Sequence, residues 1–316
     1  MKKWGLALGG GGILGLAHVG VLQALESEGL RPSVISGTSA GSVIAGLYAS
    51  GVDFGTMQGA AVEALFQEDA LPEPDGWLPP ETPQEPLKAA RQEVQILPSG
   101  KHSPLAASMA VSGLVGGGAV EAALDRVTRS ARLCDARLPL SITSVDVVTG
   151  EIVVFTSVAP DSHRGPASLA LPGRAYVTEA KISLAIRASV SIPGIFKPKK
   201  FGKWFLVDGG VREMVPAYEA RRIGAEEVIA VDLGLHTEMP EEARSAVAIL
   251  SRCFQLASRE STLRSLSQYA SLTLQPEILE IGFPTPSRCR EMVQAGRECA
   301  LRNMPRILSL LKDFGA

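Results

Sequence analysis

Histidine, cysteine and aromatic residues are all sparse in this chain, and neither sign of charge is in clear excess. Its 316 residues include four cysteines, Cys134, Cys253, Cys289 and Cys299. No two are spaced Cys-x-x-Cys, so zinc and thioredoxin-like sites find no support. Scattered thiols in a chain of this length suit a reducing compartment. The four histidines, His18, His102, His163 and His236, are also far apart. That argues against a His-based metal site. Lys and Arg total 31 against 33 Asp and Glu, a formal net charge of −2. The basic excess of a nucleic-acid binder is missing. Charged residues make up 20% and apolar ones 46%, which excludes a disordered chain.

Glycine is plentiful, with 32 residues, and mean hydropathy is +0.16. From Trp4 to Leu25 there is no charged residue at all. A hydropathy scan reads such a run as a signal peptide or a membrane span. Its glycines argue otherwise, because Gly9, Gly10, Gly11 and Gly12 are consecutive and would break a spanning helix. The run parses instead as a strand over Trp4–Leu8, a glycine turn, and a buried helix from Ile13 to Glu28. With no targeting segment left, the expectation is a cytoplasmic protein.

A second strand–turn–helix unit follows: Ser33–Ser36, then Gly37–Gly41, then Ser42–Ser50. Two such units predict a three-layer α/β fold, with a central, mostly parallel sheet flanked by helices. The length suits a single domain over residues 1–316. Residues 71–104 carry Pro72, Pro74, Pro79, Pro80, Pro83, Pro86, Pro98 and Pro104, so they are expected to form an excursion or flap. Beyond it, helix is expected over Val120–Arg129, Thr178–Val190, Pro240–Tyr269 and Ser287–Leu311. Strands are expected over Leu140–Val147, Glu151–Phe155, Lys203–Val207 and Val228–Leu233.

Two turns carry the chemistry. Gly10, Gly12 and Gly15 match G-x-G-x-x-G at the end of the first strand. Such a loop aims backbone N–H groups at an anion, beside a helix N-terminus. The anion is either a dinucleotide pyrophosphate or the oxyanion of an acyl-transfer intermediate. The dinucleotide reading expects an acidic residue at the end of the second strand. Ser36-Gly37 stands there instead. Gly37-x-Ser39-x-Gly41 lies between a strand and a helix, the context of a nucleophile elbow. Successive parallel units place both turns at one edge of the sheet. Serine attack with oxyanion stabilisation is the chemistry they share.

The serine needs a base. Ser39…Asp208…His236 has the order of an α/β-hydrolase triad, but Ser39 comes much earlier than in that fold. His236 also reads as a solvated loop residue. The remaining candidates are aspartates at strand ends: Asp146, Asp208 and Asp232. The glycines after Asp208, Gly209 and Gly210, allow close approach and give it a modest preference.

With these segments in order, the sequence resembles the patatin-like phospholipases over nearly its whole length. The matching segments are Gly9–Gly15 with Leu16–Leu22, the Gly37–Ser42 elbow and Thr149-Gly150-Glu151. Arg187-Ala188-Ser189, Ile192–Phe196 and Asp208-Gly209-Gly210 complete them. The resemblance implies a Ser-Asp dyad, Ser39 as nucleophile and Asp208 as proton acceptor. It implies an oxyanion hole from Gly10, Gly11, Gly12 and Ala40, supported by Gly15, Gly37, Gly41, Gly209 and Gly210. It implies hydrolysis of lipid or other acyl esters without metal or organic cofactor, and His18 as a helix residue. Two positions depart from the family pattern. Leu14 stands where Arg or Lys is usual, which shifts the expectation towards neutral esters. Met214 stands where Asn is usual. Arg212 is the candidate replacement for the missing cation.

Lys197, Lys199, Lys200 and Lys203 precede Asp208, with Phe196, Phe201 and Trp204 interleaved. They read either as a solvated turn or as a contact with anionic lipid at the site mouth. Two other functions stay open at this point. One is a catalytically weak regulatory relative, and the other a dinucleotide-binding oxidoreductase.

Overall fold

A computed structural model of the chain describes residues 2–65, 116–159, 172–234, 246–278 and 285–312. The expected flap at 71–104, and His236, lie outside them. The charge-free N-terminal run forms the middle of the sheet. Strand β1 (Trp4–Leu8) lies between β2 (Val34–Thr38) and β8 (Glu227–Val231), parallel to both. A 3-10 turn over Gly12–Gly15 leads into α1 (Leu16–Ser27), which is buried along most of its length. The elbow joins β2 to α2 (Ala40–Ala49).

The nine-stranded sheet has the order β5-β4-β3-β2-β1-β8-β9, where β3 is Leu140–Asp146, β4 Ile152–Thr156, β5 Arg174–Val177 and β9 Leu272–Leu274. Strand β7 (Trp204–Asp208) pairs with β3, and β6 (Lys199–Phe201) pairs with β7. The β1, β2, β8, β9 and β2–β3 pairings are parallel, as is β4–β5. The β3–β4, β3–β7 and β6–β7 pairings are antiparallel. The sheet is therefore mostly parallel, as expected, and is mixed through β3–β4 and the β6–β7 hairpin. The link between β3 and β4 is too short for a crossover, so it can only fold back.

Alternation along the central strands explains the two covered faces. Leu6, Leu8, Ile35, Ile229 and Val231 point into the larger core with α1, α2 and α8 (Pro286–Leu311). Ala7, Val34, Val228 and Ala230 point into a second core under α6 (Ala217–Arg222) and α7 (Ala246–Tyr269). Apolar residues on both faces are what a parallel sheet with crossover helices requires. On the larger-core side lie also α3 (Phe54–Leu65), α4 (Gly118–Val127) and α5 (Ile182–Ser189). Helix α5 starts later than expected, because Lys181 is extended and bridges to Arg132 before the helix begins. No described helix is long and apolar enough to cross a membrane.

Helices α1 and α8 touch backbone to backbone. A Cβ on Gly20 would lie 1.8 Å from the Val293 carbonyl oxygen, and one on Gly296 would lie 1.9 Å from that of Ala17. Gly20→Ala or Gly296→Ala must push the helices apart. We expect each to lower stability by about 3 kcal/mol, read from urea unfolding midpoints at unchanged slope.

Candidate active site

Strand β3 brings the two halves of the site together. Its first half pairs with β2, ending with Thr38 opposite Thr143. Its second half pairs with β7, starting with Asp208 opposite Ser144. Strands β2 and β7 thus end against each other on one neighbour. The residue after Thr38 is Ser39, and its side chain faces the Asp208 carboxyl closely enough to favour that carboxyl's ionised form.

Ser39 has φ 51° and ψ −125°, a left-handed-side backbone that a non-glycine residue adopts only under strain. Close packing enforces it. A Cβ on Gly37 would lie 2.4 Å from the Gly41 carbonyl oxygen, and one on Gly41 would lie 2.1 Å from that of Leu8. Only glycine allows the elbow to sit this close to β1. The Ser39 N–H donates to the Ser189 hydroxyl at 2.8 Å, which in turn donates to the Thr143 carbonyl at 2.7 Å. The Ser42 hydroxyl donates to the Ser39 carbonyl at 2.6 Å. The serine backbone is held at both ends while its side chain faces Asp208.

Asp208 is 4% exposed. Burial raises its pKa to about 6, against the opposing pull of Ser39 and of the hydrogen bond from the Gly210 N–H at 2.8 Å. A carboxyl so placed is poised to exchange protons near neutral pH. The other strand-end aspartates are engaged elsewhere. Asp146 accepts from the Thr149 hydroxyl at 2.7 Å and the Phe205 N–H at 2.9 Å. Burial works against its ionisation, but these bonds prevail and hold its pKa below the usual range. Asp232 pairs with Arg259 at 2.7 Å.

The glycine loop is fixed from behind. The Gly9 N–H donates to the Val231 carbonyl at 3.0 Å, and the Gly10 N–H to the Met214 carbonyl at 2.9 Å. That commits Gly10, one of the expected oxyanion donors, to the protein itself. The N–H groups of Gly11, Gly12 and Ala40 meet no acceptor among the described residues. His18 is buried in α1, and its Nε2 donates to the Gly9 carbonyl at 2.8 Å. Burial lowers its pKa to about 4, so the ring is neutral at physiological pH. It braces the loop, a role the sequence did not disclose beyond placing it on a helix.

One departure from the family pattern, Met214, has a structural explanation. Met214 contributes through its carbonyl, which does not depend on side-chain type. Its sulfur also lies against Gly10 and Gly210. Arg212 does not replace the cation missing at Leu14. Its guanidinium donates to the Gly150 carbonyl at 2.6 Å, away from the glycine loop.

Sequence reading missed the support behind Met214. Arg174 on β5 reaches Glu213 at 2.8 Å and Glu219 at 2.8 Å, and Arg222 reaches Glu219 at 2.6 Å. The Glu213 carbonyl accepts from the Thr38 hydroxyl at 2.9 Å. Glu213-Met214 therefore clamps the elbow strand and the glycine loop together. Paired charges so far apart in sequence leave no local signal.

An uncharacterized NTE family protein of Mycobacterium tuberculosis (strain CDC 1551 / Oshkosh) is 26% identical over 325 residues, covering 95% of this chain and 46% of the relative. The chain thus spans about half the length of that relative. Lysophospholipase NTE1 of Debaryomyces hansenii is 26% identical over 230 residues, covering 73% of this chain and 12% of its own. Among solved structures, VipD from Legionella pneumophila aligns with a TM-score of 0.49 and 14% identity, covering 97% of this chain and 67% of that one. The family model described as patatin-like phospholipase matches residues 6–221, well over half of the sequence, and the chain belongs to that family.

Proposed function

We propose that this chain is a serine acyl hydrolase that cleaves lipid carboxylic esters through an acyl-enzyme. The observation that carries the reading is the placement of a strained elbow serine, Ser39, facing the buried carboxyl of Asp208. In the proposed reaction, ionised Asp208 takes the Ser39 proton as the hydroxyl oxygen attacks the ester carbonyl. The developing oxyanion is met by the N–H groups of Gly11, Gly12 and Ala40, with the N-terminus of α2 behind it. Asp208 then returns the proton to the leaving alcohol, and the acyl group stays on Ser39. A water molecule, deprotonated by Asp208, releases the acid and restores the serine.

A dinucleotide-binding oxidoreductase accounts for the glycine loop but leaves the strained Ser39 and its carboxyl partner unused. Leu14, partly buried against the larger core, puts no charge beside the loop. Neutral acyl esters are therefore the preferred substrates in this reading. Labelling with a fluorophosphonate probe tests it. Wild type is expected to label and Ser39→Ala is not. Equal labelling of the two, or none in either, would sink the hydrolase reading. His236→Ala is expected to keep wild-type turnover, and a loss of about a thousandfold or more would restore the triad.

A further inference from the structure

One part of the sheet's carboxyl edge is apolar, exposed and unused by the proposed chemistry. Val147 and Val148, in the β3–β4 turn, are 56% and 77% exposed, and Phe205 on β7 is 40% exposed. The Val147 N–H donates to the Phe205 carbonyl at 2.9 Å, and Phe205 pairs with Lys200 across the β6–β7 hairpin. Residues opposite one another in a sheet share a face. Val147, Phe205 and Lys200 therefore form one row across three strands.

The other face of this hairpin is fastened down. Phe201 stacks on Trp204 at 6.2 Å and meets Phe155 of the larger core edge-on at 5.5 Å. Lys199 pairs with Glu121 of α4 at 2.5 Å, so it is a structural cation and not part of the open row. Lys197, Lys200 and Lys203 are exposed, and Lys203 lies over the Trp204 ring. Among the described residues none of these three is ion-paired. Nearby acids are engaged: Asp146 holds the turn, and Glu151 accepts from the Trp204 indole at 3.3 Å.

We propose that this row is a docking surface for an anionic lipid bilayer. The inference rests on the lipid-ester reading of Ser39 and Asp208. Three observations favour a bilayer as the occupant. The apolar side chains are flanked by cations, which suits an interface with anionic headgroups. The exposed row is only a few side chains, whereas a specific protein partner needs roughly 800 Å² on each side. Its position also fits the site. Thr38 lies opposite Thr143, and Val147 stands four residues beyond Thr143, just past the end of β3. At about 3.3 Å per residue, the row lies about 13 Å beyond the level of Ser39, on the same edge. A bilayer resting there faces the edge that carries the dyad.

The test is co-sedimentation with phosphatidylcholine vesicles, with and without added phosphatidylglycerol. Wild type is expected to bind, more tightly to the anionic vesicles. Val147→Asp/Val148→Asp is expected to lose at least about tenfold in partitioning on both. Val148→Asp alone moves the same way with the least burden on the fold. Lys200→Ser/Lys203→Ser is expected to lose about fivefold per lysine on anionic vesicles only. All variants keep wild-type labelling of Ser39 and hydrolysis of a water-soluble short-chain ester. Absence of vesicle binding by wild type, or equal binding by the valine and lysine variants, overturns the proposal. Self-association of the free chain that the valine pair abolishes also overturns it, in favour of a second copy. Vesicle binding without Ser39 labelling supports the docking surface and removes the hydrolase reading alone.

Discussion

Asp208→Asn is expected to lower kcat/KM on a soluble ester by about 10²–10⁴-fold, because it removes the proposed base that faces Ser39 and keeps the shape of the site. The pH profile of the wild type carries the complementary signature. Activity is expected to rise as pH increases through about 6, where buried Asp208 ionises. A profile that instead follows an unshifted carboxylate, flat from pH 5 upward, would remove Asp208 from the base role. Stability moves in the opposite sense. Asp208 has a folded pKa raised above its ordinary value, so its neutral form is favoured in the fold. That stability is fully present below the unfolded value near 4 and is lost as pH rises through about 6. At 1.36 kcal/mol per pH unit, the cost of ionising it in place is roughly 3 kcal/mol. Asp208→Asn should therefore be less active yet more stable than wild type at pH 8, with the advantage gone at pH 4. Urea unfolding at the two pH values measures it.

Arg174→Met is the largest expected loss of stability. The side chains of Arg174, Glu213 and Glu219 are 6%, 4% and 0% exposed. Burial raises the pKa of Glu219, and Arg222 and Arg174 pull it back. Without Arg174, Glu219 keeps Arg222, but Glu213 is left as an uncompensated buried charge. Breaking such a pair costs about 3–5 kcal/mol. Arg174→Met/Glu213→Gln should recover a good part of it. A loss under 1 kcal/mol in the single variant would show that the network does not hold the fold together. Because Glu213-Met214 also anchors Thr38 and Gly10, the folded fraction of the single variant should show weakened Ser39 labelling.

The chemistry-bearing turns were legible in the sequence because they are local. Glycines that permit a close approach, and a serine between a strand and a helix, need only a few neighbouring residues to be recognised. The same holds for β1, where a charge-free run broken by four glycines cannot span a membrane and reads as a buried strand and helix. What lies between distant segments was not legible. The resemblance already favoured Asp208 over Asp146 and Asp232, but how it comes to face Ser39 lies in β3 changing partners midway, from β2 to β7. The commitment of the Gly10 N–H to Met214, and the bracing of the loop by His18, are contacts between segments that no periodicity signals. The mixed character of the sheet was hidden for a simpler reason. Strand direction follows from the length of each connection and the edge it returns to, and β5, β9 and α6 are too short for pattern to reveal. The sequence by itself determined the nucleophile elbow and the glycine loop, which local sterics fix. Tertiary structure alone decided how the Asp208 carboxyl is brought to Ser39, which loop amides are committed elsewhere and which buried charges brace the site, because each depends on groups that only the folded chain brings together.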